Sequence, residues 1–243
     1  RGLGDVYKRQ ELESRVLPAR VRGYQPKWLD ELMSTGEVVW VGAGALGAKD
    51  GRVALYRRAQ ARVLLGPRAE ATGELHKALI AILAGRGAVF FAELKTQLVH
   101  ANMSEVVLAL WDLVWMGLVT NDTLAPLRSY LAGQSAGPRA LSTGGRWSLV
   151  ELLGDAVEPT QRRFALVTGL LERWGLIGKS VVDAEGTFEG EGGYAGLYET
   201  LRAMEDVGKV RRGHFIEVPL ATDTIQKVIG MGRQGKKRKT AMC

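Results

Sequence analysis

Arginines beside predicted strands are the residues of this sequence best suited to chemistry, and that chemistry is contact with phosphate groups. Arg211, Arg212 and His214 lie in a short alternating segment, and Arg57 and Arg58 end an earlier predicted hairpin. Guanidinium groups bind phosphate oxygens through two parallel hydrogen bonds. These five residues are therefore the candidate nucleic-acid contacts. An ordinary exposed strand edge is an equally good explanation for Arg211 and Arg212.

Two tryptophans form a second candidate surface. Trp111 and Trp115 lie four residues apart, beside rather than on the predicted core stripe of their helix. A second apolar face of this kind can stack on bases or pack against a neighbouring module, and packing is the commoner role.

The remaining polar residues predict no catalytic centre. The three histidines are scattered, no paired carboxylates occur in a recognisable frame, and the single cysteine, Cys243, cannot build a metal site. Gly178, Lys179 and Ser180 resemble the end of a phosphate loop, but Arg173 stands where that motif needs its first Gly. We therefore expect no catalytic residue, no metal site and no cofactor in this chain.

A pattern that occurs three times indicates the elements that position the candidates. Each copy has Leu, then Leu or Met three residues later, then Gly after four more and Val after a further two; the glycines are Gly36, Gly117 and Gly208. The apolar spacing predicts one face of a helix, Gly a left-handed stop, and Val the start of a strand. A hairpin after Val210 makes the third copy typical of the last helix and wing of a winged helix.

The predicted fold is mainly α with small β-hairpins, of the α+β class, built from tandem winged-helix modules. Residues 11–66 are predicted to form the C-terminal half of one module with a long hairpin, entered by an extended segment at 11–27. Residues 72–132 are predicted as a second module and residues 147–220 as a third.

The segments outside these modules are predicted to be unstructured. Residues 133–146, rich in Gly, Ser and Ala, read as a flexible linker, and residues 221–243 as a basic, disordered tail. Residues 1–10 resemble a translated adapter and are excluded from the fold prediction.

Charge is concentrated at the two ends of the chain. Arg1, Lys8 and Arg9 against Asp5 give residues 1–10 a charge of +2, and five Lys and Arg give residues 230–243 a charge of +5. The body between them therefore contributes nothing to the net +7. The high pI of about 9.6 is an end effect and does not indicate that the folded part binds nucleic acid. The single cysteine favours a cytoplasmic setting, and neither a membrane span nor a signal peptide is predicted.

Residues 110–128 resemble the C-terminal region of the large helicase-related (Lhr) family of bacteria. Further matching segments occur in the same order, so that the resemblance covers roughly residues 11–217; these segments are residues 17–21, 36–40, 145–149 and 211–213.

The resemblance implies a piece of a superfamily 2, ATP-dependent DNA helicase involved in DNA repair. Its ATP- and magnesium-binding motor domains would lie outside this sequence, and its partners would be DNA, single-stranded or duplex, and neighbouring domains of the parent protein. The AlkZ/YcaQ-type DNA glycosylases have a similar tandem arrangement, and some family members are credited with uracil-DNA glycosylase activity. The AlkZ-type catalytic motif cannot be placed on residues of this chain.

Three hypotheses follow. The chain is a non-catalytic DNA-binding and scaffolding fragment, a DNA glycosylase, or a protein-interaction module. A glycosylase needs a carboxylate beside an aromatic platform, for which Asp112 between Trp111 and Trp115 is the one available cluster. An interaction module would use the acidic helix faces and the two tryptophans.

Overall fold

The computed structural model describes residues 6–47, 50–65, 70–131, 144–153, 157–185, 192–213 and 228–231. These residues form mainly helices, with three small antiparallel sheets of three strands each. The predicted fold class, mainly α with small sheets in tandem winged-helix modules, is confirmed. The chain divides into two compact units, Gly2–Val157 and Glu158–Cys243.

The first module lies at the start of the first unit. A helical stretch follows its first strand, and a helix and a hairpin complete it. The elements are β1 (Val6–Lys8), α1 (Arg9–Glu11), a π-helical turn (Leu12–Val16), α2 (Leu17–Arg20), α3 (Pro26–Ser34), β2 (Val38–Ala45) and β3 (Gly51–Arg57). The strands are ordered β1-β3-β2, and α4 (Arg58–Leu64) follows the hairpin.

The second module completes the first unit. Its elements are α5 (Glu74–Arg86), β4 (Val89–Phe90), α6 (Phe91–Gln97), α7 (Met103–Trp115), β5 (Val119–Asn121), α8 (Ala125–Leu131) and β6 (Arg146–Leu149). The strand order is β4-β6-β5, and a 3-10 turn at Val150–Leu153 follows.

The third module occupies the second unit and repeats the arrangement of the second. Its elements are α9 (Pro159–Trp174), β7 (Leu176–Ile177), α10 (Lys179–Glu185), α11 (Gly193–Asp206), β8 (Val210–Gly213) and β9 (Val228–Met231). The strand order is β7-β9-β8. In all three sheets the strand that comes last in the chain lies in the middle.

The three predicted helix stops share one geometry. Gly36, Gly117 and Gly208 have φ angles of 76°, 72° and 74°, which only glycine adopts without cost. In each case the amide after the glycine donates to the carbonyl five residues earlier, at 3.0, 2.9 and 2.8 Å. This is the Schellman closure, which satisfies carbonyls that the helix end leaves without partners.

One residue of the repeated pattern is placed differently from the prediction. Leu32 is 40% exposed, whereas Met33 is 2% exposed and packs in the core. Leu29 and Met33 are four residues apart, so they share the face of α3 that meets the sheet, and Leu32 lies to its side.

The structure also differs from the predicted boundaries at both ends of the chain. Residues 6–20, predicted as an excluded decapeptide and an extended entry, form β1 and helical turns. Arg9 is buried there, and its Nε donates to Asp50 Oδ1 at 2.8 Å. Within the predicted tail, residues 228–231 form β9, which pairs with both β7 and β8.

The predicted start of the third module is likewise placed elsewhere. Residues 147–149 belong to β6, which pairs with β4 and β5 of the second module, and Trp147 is fully buried there. The sequence did not predict this pairing, because a long segment of chain separates the central strand β6 from its partners β4 and β5. Residues 133–143 of the predicted linker lie outside the described residues.

The first two modules share one hydrophobic core. Trp40 of β2 and Leu110 of α7 belong to the same buried cluster, and Trp40 Nε1 donates to the Thr123 carbonyl at 3.1 Å. Thr120 Oγ1 in turn donates to the Trp40 carbonyl. A Cβ at Gly42 would overlap the Val114 carbonyl, and one at Gly51 would overlap the Trp115 ring. The hairpin β2–β3 and α7 can therefore approach this closely only because both positions are glycine.

We expect Gly42→Ala to destabilise the first unit by about 3 kcal/mol, because a side-chain carbon must displace helix backbone and not a flexible side-chain tip. Gly85→Ala is the matched control. Gly85 lies in α5 with nothing within 4 Å of an added Cβ, so this change should be neutral or stabilise by up to about 1 kcal/mol. Urea unfolding of the two variants measures the difference. Equal midpoints would contradict the close approach.

Candidate nucleic-acid interface

The wing of the third module places two of the candidate arginines on neighbouring positions of one strand. The left-handed Gly208 ends α11, and β8 begins at Val210, which is 1% exposed and anchors the strand. Arg211 and Arg212 follow on β8. Successive strand residues point to opposite faces, so the two arginines have different surroundings.

Arg212 is held by its own module. Its amide donates to Glu205 Oε1 at 2.9 Å, its Nε donates to Oε2 at 3.1 Å, and its Nη1 donates to the Tyr198 hydroxyl at 3.1 Å. The guanidinium also lies 5.9 Å from the centre of the Tyr198 ring. The hydrogen bonds that Glu205 accepts from Arg212, together with the negative charge of Glu205, raise the pKa of Arg212. A phosphate must therefore compete with Glu205 for this side chain.

Arg211 is the more accessible candidate of the pair. Its side chain is exposed and makes no ion pair or hydrogen bond with any residue that the structure describes. Lys209, which sequence reasoning missed, is exposed nearby with its Nζ 4.7 Å from the Phe164 ring centre. A basic residue directly after the helix-stop glycine was the available signal. His214 lies outside the described residues.

The other two candidates lie at the end of the first module's hairpin. Arg57 ends β3 and Arg58 begins α4, and both side chains are exposed. The Arg58 amide donates to the Glu37 carbonyl at 2.9 Å, which fixes the corner between hairpin and helix. Arg58 also lines a groove between the first and second modules. The structure thus places one candidate pair in each unit.

Trp111 and Trp115 lie inside the first unit. They are 2% and 8% exposed and stack on each other with ring centres 5.5 Å apart. Tyr130 and Trp147 complete the cluster, at 4.4 and 6.0 Å from Trp111. Trp115 also packs against the first module at Gly51. Because almost none of either side chain reaches solvent, the packing role fits the structure and stacking on bases does not.

Asp112 does not join this aromatic cluster. Its side chain is 63% exposed, and its Oδ2 lies 3.4 Å from Nε2 of His76. A carboxylate in water at a helix surface lacks the desolvated pocket that a base-cleaving acid or base needs. The one cluster that supported a glycosylase in the sequence is therefore not assembled here.

An ion-pair network, which the sequence did not predict, joins the first two modules. Arg128 of α8 donates to both carboxylate oxygens of Glu13 and to Asp30 Oδ2, each at 2.8 Å. The Tyr24 hydroxyl donates to Glu13 Oε1 at 2.7 Å. Burial favours a higher pKa for Glu13, but the hydrogen bonds from Arg128 and Tyr24 outweigh it, and its pKa is lowered. The same contact with Glu13 raises the pKa of Arg128.

Two further classes of site can be assessed in the described part of the chain. It holds no group of three His, Cys, Asp or Glu side chains that could bind a metal ion. None of its helices has the length and apolar character needed to span a bilayer.

We expect Glu13→Gln to reduce the free energy of unfolding by about 1–2 kcal/mol near neutral pH, because the ion pair between Glu13 and Arg128 is only partly exposed. The lowered pKa of Glu13 means that the unfolded chain binds its proton more readily. The stabilisation is therefore complete above the ordinary value of 4.5 and is lost as the pH falls through the folded pKa. Urea unfolding at neutral pH and at a series of acid pH values should show the stability difference between wild type and Glu13→Gln shrinking as the pH falls below 4.5.

Glu93→Gln is the control for this measurement. Glu93 makes a long, exposed pair with Arg86 at 3.7 Å, so its removal should change stability by less than about 0.5 kcal/mol at any of these pH values. A difference between wild type and Glu13→Gln that persists unchanged in acid would show that the carboxylate is not what holds the network.

Comparison with known proteins assigns the family. Two family models, both described as winged-helix domains of the large helicase-related protein, match residues 4–58 and 156–222. The chain is 38% identical over 236 residues to the "Lhr helicase/probable uracil glycosylase" of Mycolicibacterium smegmatis. It is 35% identical over 241 residues to the "Lhr helicase/uracil glycosylase" of Escherichia coli. These alignments cover 85% and 84% of this chain and 15% of each relative. The chain, with its tandem winged helices, belongs to the large helicase-related protein family and represents part of its C-terminal winged-helix region.

Proposed function

We propose that this chain is a non-catalytic DNA-binding and scaffolding section of an ATP-dependent DNA helicase that acts in DNA repair. The observation that carries the proposal is the winged-helix strand order, repeated in three modules of a chain whose relatives are named helicases. Winged helices offer a helix and a wing to a nucleic-acid backbone. We infer that the modules of this chain contact DNA in the same way.

The charges of the third module favour backbone contact over base reading. Helix α11 exposes Glu199 and Asp206 beside Arg202, which does not suit insertion into a groove lined by phosphates. Arg211 and Lys209 are exposed at the wing, and residues 232–243 add five Lys and Arg in sequence. We therefore infer weak, sequence-independent binding through a few phosphates.

The first unit is suited to the scaffolding part of the proposal. A common core, the Gly42 and Gly51 contacts and the Arg128 network join its two modules. Such an interface holds a fixed geometry, because a packed core resists continuous deformation. We infer that the unit presents its surfaces at constant spacing to DNA and to neighbouring domains of the parent protein.

ATP and magnesium belong elsewhere in this proposal. Gly178, Lys179 and Ser180 lie at the start of a seven-residue helix after a two-residue strand, without the glycine-rich turn of a phosphate loop. The described residues also supply no metal-binding group. We assign both ligands to motor domains of the full-length protein, and we place that protein in the cytoplasm.

Glycosylase activity is the second candidate function. The names of both relatives favour it, since each includes uracil glycosylase. The exposed position of Asp112 counts against it in this segment. The third candidate, a protein-interaction module, loses its main support because Trp111 and Trp115 are buried.

Two assays on the purified chain separate these functions. We expect no ATP hydrolysis above buffer and no release of free base from uracil-containing or crosslinked DNA. The reason is that Gly178, Lys179 and Ser180 lack the turn of a phosphate loop and Asp112 lacks a desolvated pocket. ATP turnover abolished by Lys179→Ala would overturn the first expectation. Base release that depends on the protein would promote the glycosylase to the leading function.

The wing and the basic end can be distinguished by the salt dependence of DNA binding. Removing residues 232–243, which keeps β9 intact, should flatten the slope of log affinity against log salt on duplex DNA by about 4. Arg211→Gln should flatten it by about 0.9, and Arg212→Gln by less because Glu205 already holds that side chain.

Arg202→Gln, which removes an exposed charge from α11, serves as the matched control. Fluorescence anisotropy with a labelled duplex measures the slopes. If affinity and slope survive the deletion but collapse on Arg212→Gln, then the wing, and not the basic end, is the site of DNA contact.

A further inference from the structure

Helix α3 exposes two large apolar side chains on one side. Trp28 is 37% exposed and Leu32 is 40% exposed. They lie four residues apart and therefore share a helix face, beside the face that Leu29 and Met33 turn to the core. This pair, Trp28 and Leu32, is called the α3 surface below. A single exposed leucine needs no explanation, but two large apolar side chains together mark a place where another element packs.

The repeated pattern identifies the positions that correspond to Leu32 in the other two modules. The first apolar residue of the pattern is buried in every copy, at Leu29, Leu110 and Leu201. The second is buried at Leu113 and Met204, which are 0% and 4% exposed, and only Leu32 differs. All three second residues are apolar, so the difference lies in what packs around them and not in the side chain itself.

A helix that precedes the first strand covers this position in the second and third modules. Helix α5 packs against α7, and helix α9 packs against α11. His76 of α5 lies 3.4 Å from Asp112, the residue before Leu113, so α5 runs along this side of α7. Leu79 and Leu83 of α5 belong to the same buried cluster as Leu113. The helix ahead of the sheet is therefore what buries the second residue of the pattern.

The described residues of the first module contain no counterpart of α5 and α9. Their elements run strand, helical stretch, helix and hairpin, which matches the second module from β4 onward and the third from β7 onward. The helical stretch at residues 9–20 takes the place of α6 and α10, so it does not supply the cover. The α3 surface therefore lies where α5 packs in the second module.

The surroundings of the α3 surface define the chemistry of its occupant. Exposed charged side chains flank it at Lys27 and Glu31, so it is an apolar strip with a polar rim. An amphipathic helix fits such a strip, because apolar residues spaced three and four apart form one face and leave the other polar. Helices α5 and α9 have 13 and 16 residues, and each ends shortly before a strand. A helix of similar length, joined by a short turn to the first strand of the module, has the required geometry.

We propose that the α3 surface binds an amphipathic helix that the parent protein supplies directly ahead of the first module. The relatives extend far beyond the matched part, since the alignments with this chain cover 15% of each. The helix completes the core of the first module as α5 completes that of the second, and it ties the first unit to the domain that precedes it. The α3 surface uses none of the DNA contacts assigned above, so it holds whether or not the chain binds DNA.

The test compares the accessibility of single cysteines in this chain and in the full-length parent protein, both carrying Cys243→Ser. Leu32→Cys reports on the α3 surface. Leu108→Cys is the matched control, because Leu108 is 62% exposed and its counterparts in the pattern, Lys27 and Glu199, are exposed as well. The rate of reaction with N-ethylmaleimide is read at each site by mass spectrometry, so other cysteines of the parent protein do not interfere.

We expect Leu32→Cys to react at least about tenfold more slowly in the full-length protein than in this chain, because the bound helix must open before the thiol is reached. Leu108→Cys should react at rates within about twofold of each other in the two proteins. Equal rates for Leu32→Cys in both proteins, or equal slowing at both sites, would overturn the proposal. A rate that falls with rising concentration of this chain alone would assign the surface to a second copy and would also overturn it.

A photo-crosslink identifies the occupant without relying on the cysteine variants. Benzoylphenylalanine in place of Trp28 should crosslink, in the full-length protein, to the roughly 20 residues ahead of the first strand of the module. Crosslinks to another segment, or none, contradict the proposal, and circular dichroism confirms that each variant is folded. Neither measurement uses DNA, so a negative result here leaves the proposed function standing, and a failure to bind DNA leaves the α3 surface standing.

Discussion

The contact between α7 and the hairpin of the first module governs the geometry of the whole first unit. Backbone meets backbone at Gly42, and the Trp115 ring meets backbone at Gly51, because neither glycine has a side chain to hold the elements apart. Trp115 fills the space against Gly51, and Trp40 reaches across to the Thr123 carbonyl. A hydrophobic cluster that spans both modules then forms around this contact. The two winged-helix modules are thereby joined into one compact unit.

Because this contact joins two modules in the first unit, the two units differ in where their aromatic and basic side chains lie. In the first unit four of the five tryptophans are buried, and two exposed arginines, Arg58 and Arg146, line a groove between the two modules. The second unit has a single module with its own sheet, and it exposes Lys209 and Arg211 at the wing. A neutral body with cations at a few places binds a charged polymer by position more than by overall attraction. The distribution of charge, and not its total, is what the fold controls.

Local signals in the sequence were sufficient to predict the helix ends but not the pairing of the strands. The three stop glycines could be predicted because a Schellman closure depends on a few consecutive residues. Strands β6 and β9 were missed because each pairs with partners separated by long stretches of chain, and four residues carry little periodicity. The Arg128 network was hidden for the same reason, since Glu13 lies 115 residues away. Leu32 shows the limit of an argument from spacing. Leu32 and Met33 lie three and four residues after Leu29, so both fit a helical face, and packing decides that Met33 is the buried one.

The position of the last strand in each sheet has a consequence for synthesis on the ribosome. In the second module the outer strands β4 and β5 do not pair with each other, and both wait for β6. Trp147 of β6 also completes the aromatic cluster around Trp111. The core shared by the first two modules therefore stays open until residue 149 has left the exit tunnel, although most of its side chains emerge much earlier. During that interval the nascent chain exposes tryptophan and leucine surface, and it is the stage at which this protein most needs protection from aggregation.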